Sequence, residues 1–172
     1  MCTGGNVEGY LVKIEGDETE IVYCILDEGV LQYYARMGGQ LLGAVPLTGC
    51  KVEVVLLPDE RGQVFNRFRI DTQVKAARKR SLGPPTAANA LASHQQCAHH
   101  FTITFAGSTR ELADRWAVSV LNWNRYSWDD PQTLCSAKDE LEALRDVLRQ
   151  SGVKCKPEPV VPLGVSRAIR PL

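Results

Sequence analysis

Apolar and polar positions alternate in short runs over roughly the first hundred residues, and then the period changes once. Residues 9–14, 21–26 and 30–35 are rich in β-branched and aromatic side chains and are separated by acidic or glycine turns, which predicts three successive strands. Met37-Gly38-Gly39 is a turn signal, and residues 40–47 supply Leu41, Leu42, Val45 and Leu47 around Pro46, a pattern suited to an edge or a strand end. Residues 50–56 set Cys50, Val52, Val54 and Leu56 against Lys51 and Glu53, the signature of a half-buried strand. A sixth strand over 65–71 puts Phe68 and Ile70 on one face. A seventh over 100–105 points Phe101, Ile103 and Phe105 inward.

After residue 106 the spacing becomes helical. Ser108-Thr109-Arg110-Glu111 reads as a capping box with Ser108 as the cap. Leu112, Trp116, Val120 and Trp123 then recur every three or four residues as one apolar stripe. A second amphipathic helix is expected over 130–151, starting at Asp130-Pro131 or at Ser136-x-x-Asp139. Its stripe is Leu134, Leu141, Leu144, Val147 and Leu148, and it stops at Ser151-Gly152. This helix is expected to pack on the domain and to shield Trp123 and Trp128.

Seven strands closed by one Trp-bearing helix, in this order, resemble a pleckstrin-homology (PH) domain. The resemblance covers residues 7–127. It rests on Glu8-Gly9-Tyr10-Leu11-Val12-Lys13, on Tyr23-Cys24-Ile25-Leu26-Asp27-Glu28-Gly29-Val30-Leu31-Gln32-Tyr33-Tyr34, on Gly43-Ala44-Val45-Pro46-Leu47-Thr48-Gly49-Cys50 and on Trp116. It implies a mainly β fold: a partly open seven-stranded barrel of two orthogonal antiparallel sheets, plugged at one end by the helix, with Leu112, Trp116 and Val120 as the plug. Two segments exceed the family's minimal form. Residues 73–98 form a basic insertion, expected to be disordered, between the sixth and seventh strands; residues 152–172 form a Pro-rich flexible tail.

Composition narrows the function classes. Twenty basic and twenty acidic side chains cancel, so a generally nucleic-acid-binding surface is not expected and only local patches matter. No apolar run approaches the ~20 residues of a membrane span. The N-terminal residues carry no secretory-signal pattern, and Cys2 stands where myristoylation needs glycine. Six scattered cysteines without a Cys-x-x-Cys pair then suggest reduced thiols, and Cys24 reads as a small core side chain. A cytoplasmic protein is expected, with peripheral association at the inner membrane surface as the variant.

The PH resemblance implies phosphoinositide binding at the open end, through a lysine late in the first strand and two basic residues alternating at the start of the second. Lys13 fits the first position, but Glu20 and Val22 occupy the other two, and Glu15, Asp17 and Glu18 crowd the turn. Like charges there oppose a polyphosphate. Lys75, Arg78, Lys79 and Arg80 supply a separate basic run, and Tyr34 and Arg36 are further candidates for a lipid-facing surface. Such a run near an anionic membrane gains about 1 kcal/mol per cation. His94, Cys97, His99 and His100 contain metal-ligand types, yet adjacent histidines on a strand face opposite ways, so neither a metal nor another cofactor is expected. No nucleophile elbow, triad or phosphate loop is present, so no enzyme is expected. The sequence therefore favours a non-catalytic adaptor acting through an unknown protein partner, with weak binding of acidic phospholipids through Lys13, Tyr34, Arg36 and the basic run as the alternative.

Overall fold

Seven antiparallel strands precede two helices: β1 (Val7–Glu15), β2 (Glu18–Asp27), β3 (Val30–Tyr34), β4 (Leu41–Pro46), β5 (Cys50–Leu56), β6 (Arg67–Val74), β7 (His100–Ala106), α1 (Arg110–Leu121) and α2 (Ala137–Ser151). The computed structural model describes residues 7–75, 100–123 and 137–157. The strand runs expected from sequence are all present, with β5 spanning the predicted residues and the others shifted at their ends. Hydrogen bonding links all seven in one sheet ordered β4-β3-β2-β1-β7-β6-β5. The link is β1, which pairs along its length with β2 while residues 12–14 also pair with β7. Among the described residues β4 and β5 each have one neighbour, so the barrel is open between them. The architecture is mainly β and consistent with a PH-like fold with a C-terminal helix.

Period-two patterning fixes what lies inside. Leu11 of β1, Val22 and Cys24 of β2, Leu31 of β3, Phe68 and Ile70 of β6 and Phe105 of β7 meet in one buried cluster with Trp116, Ala113 and Val120 of α1. Phe68 and Phe105 lie 6.0 Å apart between ring centroids. Trp116 and Val120 are buried in this cluster, Leu112 is only half-buried, and the small Ala113 and Ala117 complete the contact face. Phe101 corrects the expectation for β7. It shares a face with Ile103 and Phe105, but at the strand's open end, and is 42% exposed.

The cap of α1 also differs from the sequence reading. Thr109, in extended conformation, accepts a hydrogen bond from Leu112 N at 3.1 Å, so the cap is one residue later than Ser108. Arg110 then reaches the Leu57 carbonyl at 2.6 Å, anchoring the start of α1 beside the end of β5. At the other end Trp123 packs near Gly29 and Thr48, in the turns before β3 and β5. Helix α1 thus runs alongside β5 in the opposite direction.

The outer face of β1 and β2 is not solvated. Tyr10, Val12, Ile21 and Tyr23 form a second buried cluster with Leu144, Val147 and Leu148 of α2 and with Val64. The helix therefore docks on the back of the barrel wall, whereas the sequence reading sent it to cover Trp123, which packs against the barrel core. Trp128, Leu134, the Asp130-Pro131 start and Ser136 lie outside the described residues, and the described helix runs Ala137–Ser151. At its C-terminus Ser151 Oγ donates to the Val147 carbonyl at 2.7 Å, and Gly152, at φ +67°, ends the helix in the left-handed conformation.

Candidate functional site

Lys13 projects from the inner face of β1 near the mouth of the barrel. Its ammonium lies 2.9 Å from Glu15 and 5.3 Å from the centre of the Tyr33 ring, and the side chain is 16% exposed. Glu20 is its cross-strand partner. Burial disfavours the Lys13 charge, but the hydrogen bond to Glu15 and the nearby acidic groups outweigh it and raise its pKa. This cation is already neutralised from two sides.

The other candidates do not converge on Lys13. Tyr34 belongs to the outer face of the wall, against the α2 cluster, and donates to Gln32 Oε1 at 2.9 Å. Arg36 is exposed in the β3–β4 turn. Lys75 is exposed just past β6, with its backbone N–H bonded to the Gly49 carbonyl at 3.1 Å. Arg78, Lys79 and Arg80 lie outside the described residues, as do His94, Cys97 and His99. Among the described residues no group of three or more His, Cys, Asp or Glu side chains could hold a metal, and no helix is long and apolar enough to cross a membrane. Cys24 is fully buried, and burial pushes its thiol well above the ordinary range. A thiol in that state is a poor nucleophile.

Polar chemistry gathers instead on the outer face of β6 and β7. Thr102 donates to Asp71 Oδ1 at 2.7 Å, Arg69 Nε donates to Asp71 Oδ2 at 2.9 Å, and His100 stands 4.0 Å away. Burial alone would raise the Asp71 pKa; the bonds from Thr102 and Arg69 and the adjacent positive charge outweigh it and hold the carboxyl below its ordinary 3.8. A depressed carboxyl gives its full stabilisation above the unfolded value and loses it as pH falls through the lower folded value. Asp71→Asn is therefore expected to lower the urea midpoint at pH 7, with the gap shrinking as pH falls through the carboxyl's lowered folded pKa. A gap that stays constant with pH would contradict this.

The edge of β5, like that of β4, has one strand neighbour among the described residues. Leu57 N donates to the Arg67 carbonyl and Lys75 N to the Gly49 carbonyl, so odd-numbered positions are the ones that bond to β6. The backbone groups of Val52, Val54 and Leu56 consequently point away from β6, where no described strand receives them. Lys51 and Glu53, paired at 2.8 Å on the outer face, are the charged residues with which edge strands discourage indiscriminate pairing. Val118 and Leu121 of α1 are 46% and 50% exposed. Leu121 follows Arg110 by three helical turns, and the Arg110 bond to Leu57 turns that side of α1 toward β5.

No protein-family model matches the chain, and no curated protein matches it. The alternation of residues 50–56 was visible in the sequence, but which side of the strand would remain unpaired depends on sheet order.

Proposed function

We propose that this chain is a non-catalytic docking module of the PH type that engages proteins, with the free edge of β5 as the strand against which an extended partner segment pairs. The observation that carries this reading is the row of outward backbone groups at Val52, Val54 and Leu56, with the exposed Leu121 on the side of α1 turned toward β5. Main-chain bonds supply affinity in such pairing, and apolar side chains of the added strand find pockets on alternate positions. A headgroup reading is disfavoured because Lys13 is engaged by Glu15 and faces Glu20.

Proline separates docking from folding. At residue 54 it removes an edge-facing N–H and leaves the β6 ladder intact, whereas at residue 55 it breaks a ladder bond. Peptides selected by display against the full chain are expected to shift the amide resonances of Val52, Val54 and Leu56 and to lose at least about tenfold in affinity to Val54→Pro, which is expected to cost less stability than Val55→Pro. Selected peptides that leave this edge unperturbed would refute the assignment.

One observation favours membrane contact as a second reading. Val74 and Phe101 are exposed at the ends of β6 and β7, next to Lys75. An apolar pair beside a basic run suits an anionic bilayer. Sedimentation with phosphatidylserine vesicles, lost on neutralising Lys75, Arg78, Lys79 and Arg80 and on raising salt, would support this reading. Stereoselective binding of one phosphoinositide would instead overturn the protein-docking preference.

A further inference from the structure

A groove between α2 and the segment after it belongs neither to the barrel core nor to the β5 edge. Its lining is Ile21 of β2, Arg145, Leu148 and Arg149 of α2, and Val153, Cys155, Lys156 and Pro157, around an open volume of about 430 Å³. The wall opposite α2 is built rather than incidental. Because β3 pairs only with β2 residues from Tyr23 onward, the earlier part of β2 has a free edge. The chain reverses at Gly152 and fills part of that edge: Thr19 Oγ1 donates to the Lys154 carbonyl at 2.7 Å, Lys156 N donates to the Thr19 carbonyl at 2.8 Å, and Cys155 forms a parallel bridge with Thr19. Val153 N bonds back to the Leu148 carbonyl at 3.3 Å and joins the α2 cluster.

The lining combines four apolar or ring side chains (Ile21, Leu148, Val153, Pro157) with three cations and no carboxylate. Arg145 and Arg149 stand one turn apart on α2, and Lys156 rises from the facing wall. Arg149 pairs with Asp146 at 2.8 Å and Lys156 feels the charge of Glu15, but Arg149, Asp146 and Glu15 are exposed, and surface pairs of this kind are weak in water. Arg145 has a partner of its own, so the charges left to a ligand are Arg149 and Lys156 on opposite walls; a ligand with a single anionic group would leave one of them solvated, and a small polyanion would leave the apolar lining wet.

We propose that this groove binds a short acidic peptide of a partner protein, one apolar side chain seated on the Leu148–Val153 lining and carboxylates on both sides of it. This surface is separate from the β5 edge, so the two assignments stand or fall independently. The test uses the full chain and a fluorescent peptide with a central leucine between paired glutamates. Controls replace the glutamates by glutamine or the leucine by serine. Binding is expected to weaken at least about tenfold with either control peptide, with Arg149→Glu and with Lys156→Glu, and to fall with added salt. Both substitutions fall on exposed positions, and an unchanged urea midpoint confirms that the fold persists. Amide shifts at Ile21, Leu148 and Val153 would place the peptide in the groove. Equal binding of the glutamine peptide, indifference to both charge reversals, loss only with Val54→Pro, or no binding up to about 1 mM peptide would each overturn the proposal. Capture by anionic vesicles without peptide binding would overturn it too, marking the cations as a membrane-facing patch.

Discussion

Trp116→Ala is expected to destabilise the fold by about 3–5 kcal/mol, a large part of the total stability of an ordinary domain. The indole is 2% exposed and is the largest fully enclosed side chain in the barrel. Its ring lies against Gly9 of β1, where an added Cβ would meet Cζ2 at 3.5 Å, and it shares the interior with Phe68, Phe105 and Val120. Gly9, Phe68 and Phe105 sit on three different strands and Val120 on the helix itself, so they cannot collapse together into the space it leaves, and the cavity contribution adds to the lost transfer energy. Val118→Ala on the solvent side of the same helix should change stability by no more than about 0.5 kcal/mol. Urea unfolding followed by Trp123 and Trp128 emission reads both. A loss below about 1 kcal/mol for Trp116→Ala would mean that α1 does not plug the barrel.

The contrast between Trp116 and Val118 shows what the sequence made legible. Helical spacing put Leu112, Trp116 and Val120 on one side, and a helix after seven strands has one open barrel end to cover. Cap placement was less legible, since Ser108 and Thr109 are both good caps and only backbone geometry separates them. Phe101 misled for a different reason: alternation names a face, and a residue on the inner face still emerges to solvent at a strand's end.

The outer wall left a signal that alternation-based reading passed over. Residues 21–24 of β2 are buried one after another, as are 10–12 of β1. Consecutive burial requires cover on both faces, and the unbroken apolar run from Ile21 to Leu26 is the sequence form of that requirement. Combined with the stripe on Leu141, Leu144 and Leu148, it pointed to α2 as the cover. The binding surfaces were less legible. Lys13, Tyr34 and Arg36 are close in strand order, yet parity sends Tyr34 to the face opposite Lys13. The α2 groove joins β2 to residues more than a hundred positions away, a juxtaposition that no local pattern encodes.

Gly29→Ala is expected to cost about 3 kcal/mol, well above the same change at Gly38. Both glycines have positive φ, +78° and +69°, so alanine loses about 1 kcal/mol in backbone strain at either. At Gly38 a Cβ meets nothing within 4 Å. At Gly29 it would fall 2.1 Å from Thr48 Oγ1 and 2.7 Å from the Trp123 ring, and overpacking of that kind adds about 1–3 kcal/mol. The same residue's carbonyl accepts from Leu47 N at 2.8 Å and Thr48 N at 3.1 Å, so moving the turn to relieve the clash pulls on the junction that leads into β5. Thr48→Ala in the Gly29→Ala background should recover part of the loss by removing one obstruction, while the indole contact keeps the remainder. Equal losses at Gly29 and Gly38 would show that Trp123 does not pack on this turn. A larger loss at Gly29, partly rescued by Thr48→Ala, would tie the end of α1 to the hairpin that frames the β5 edge.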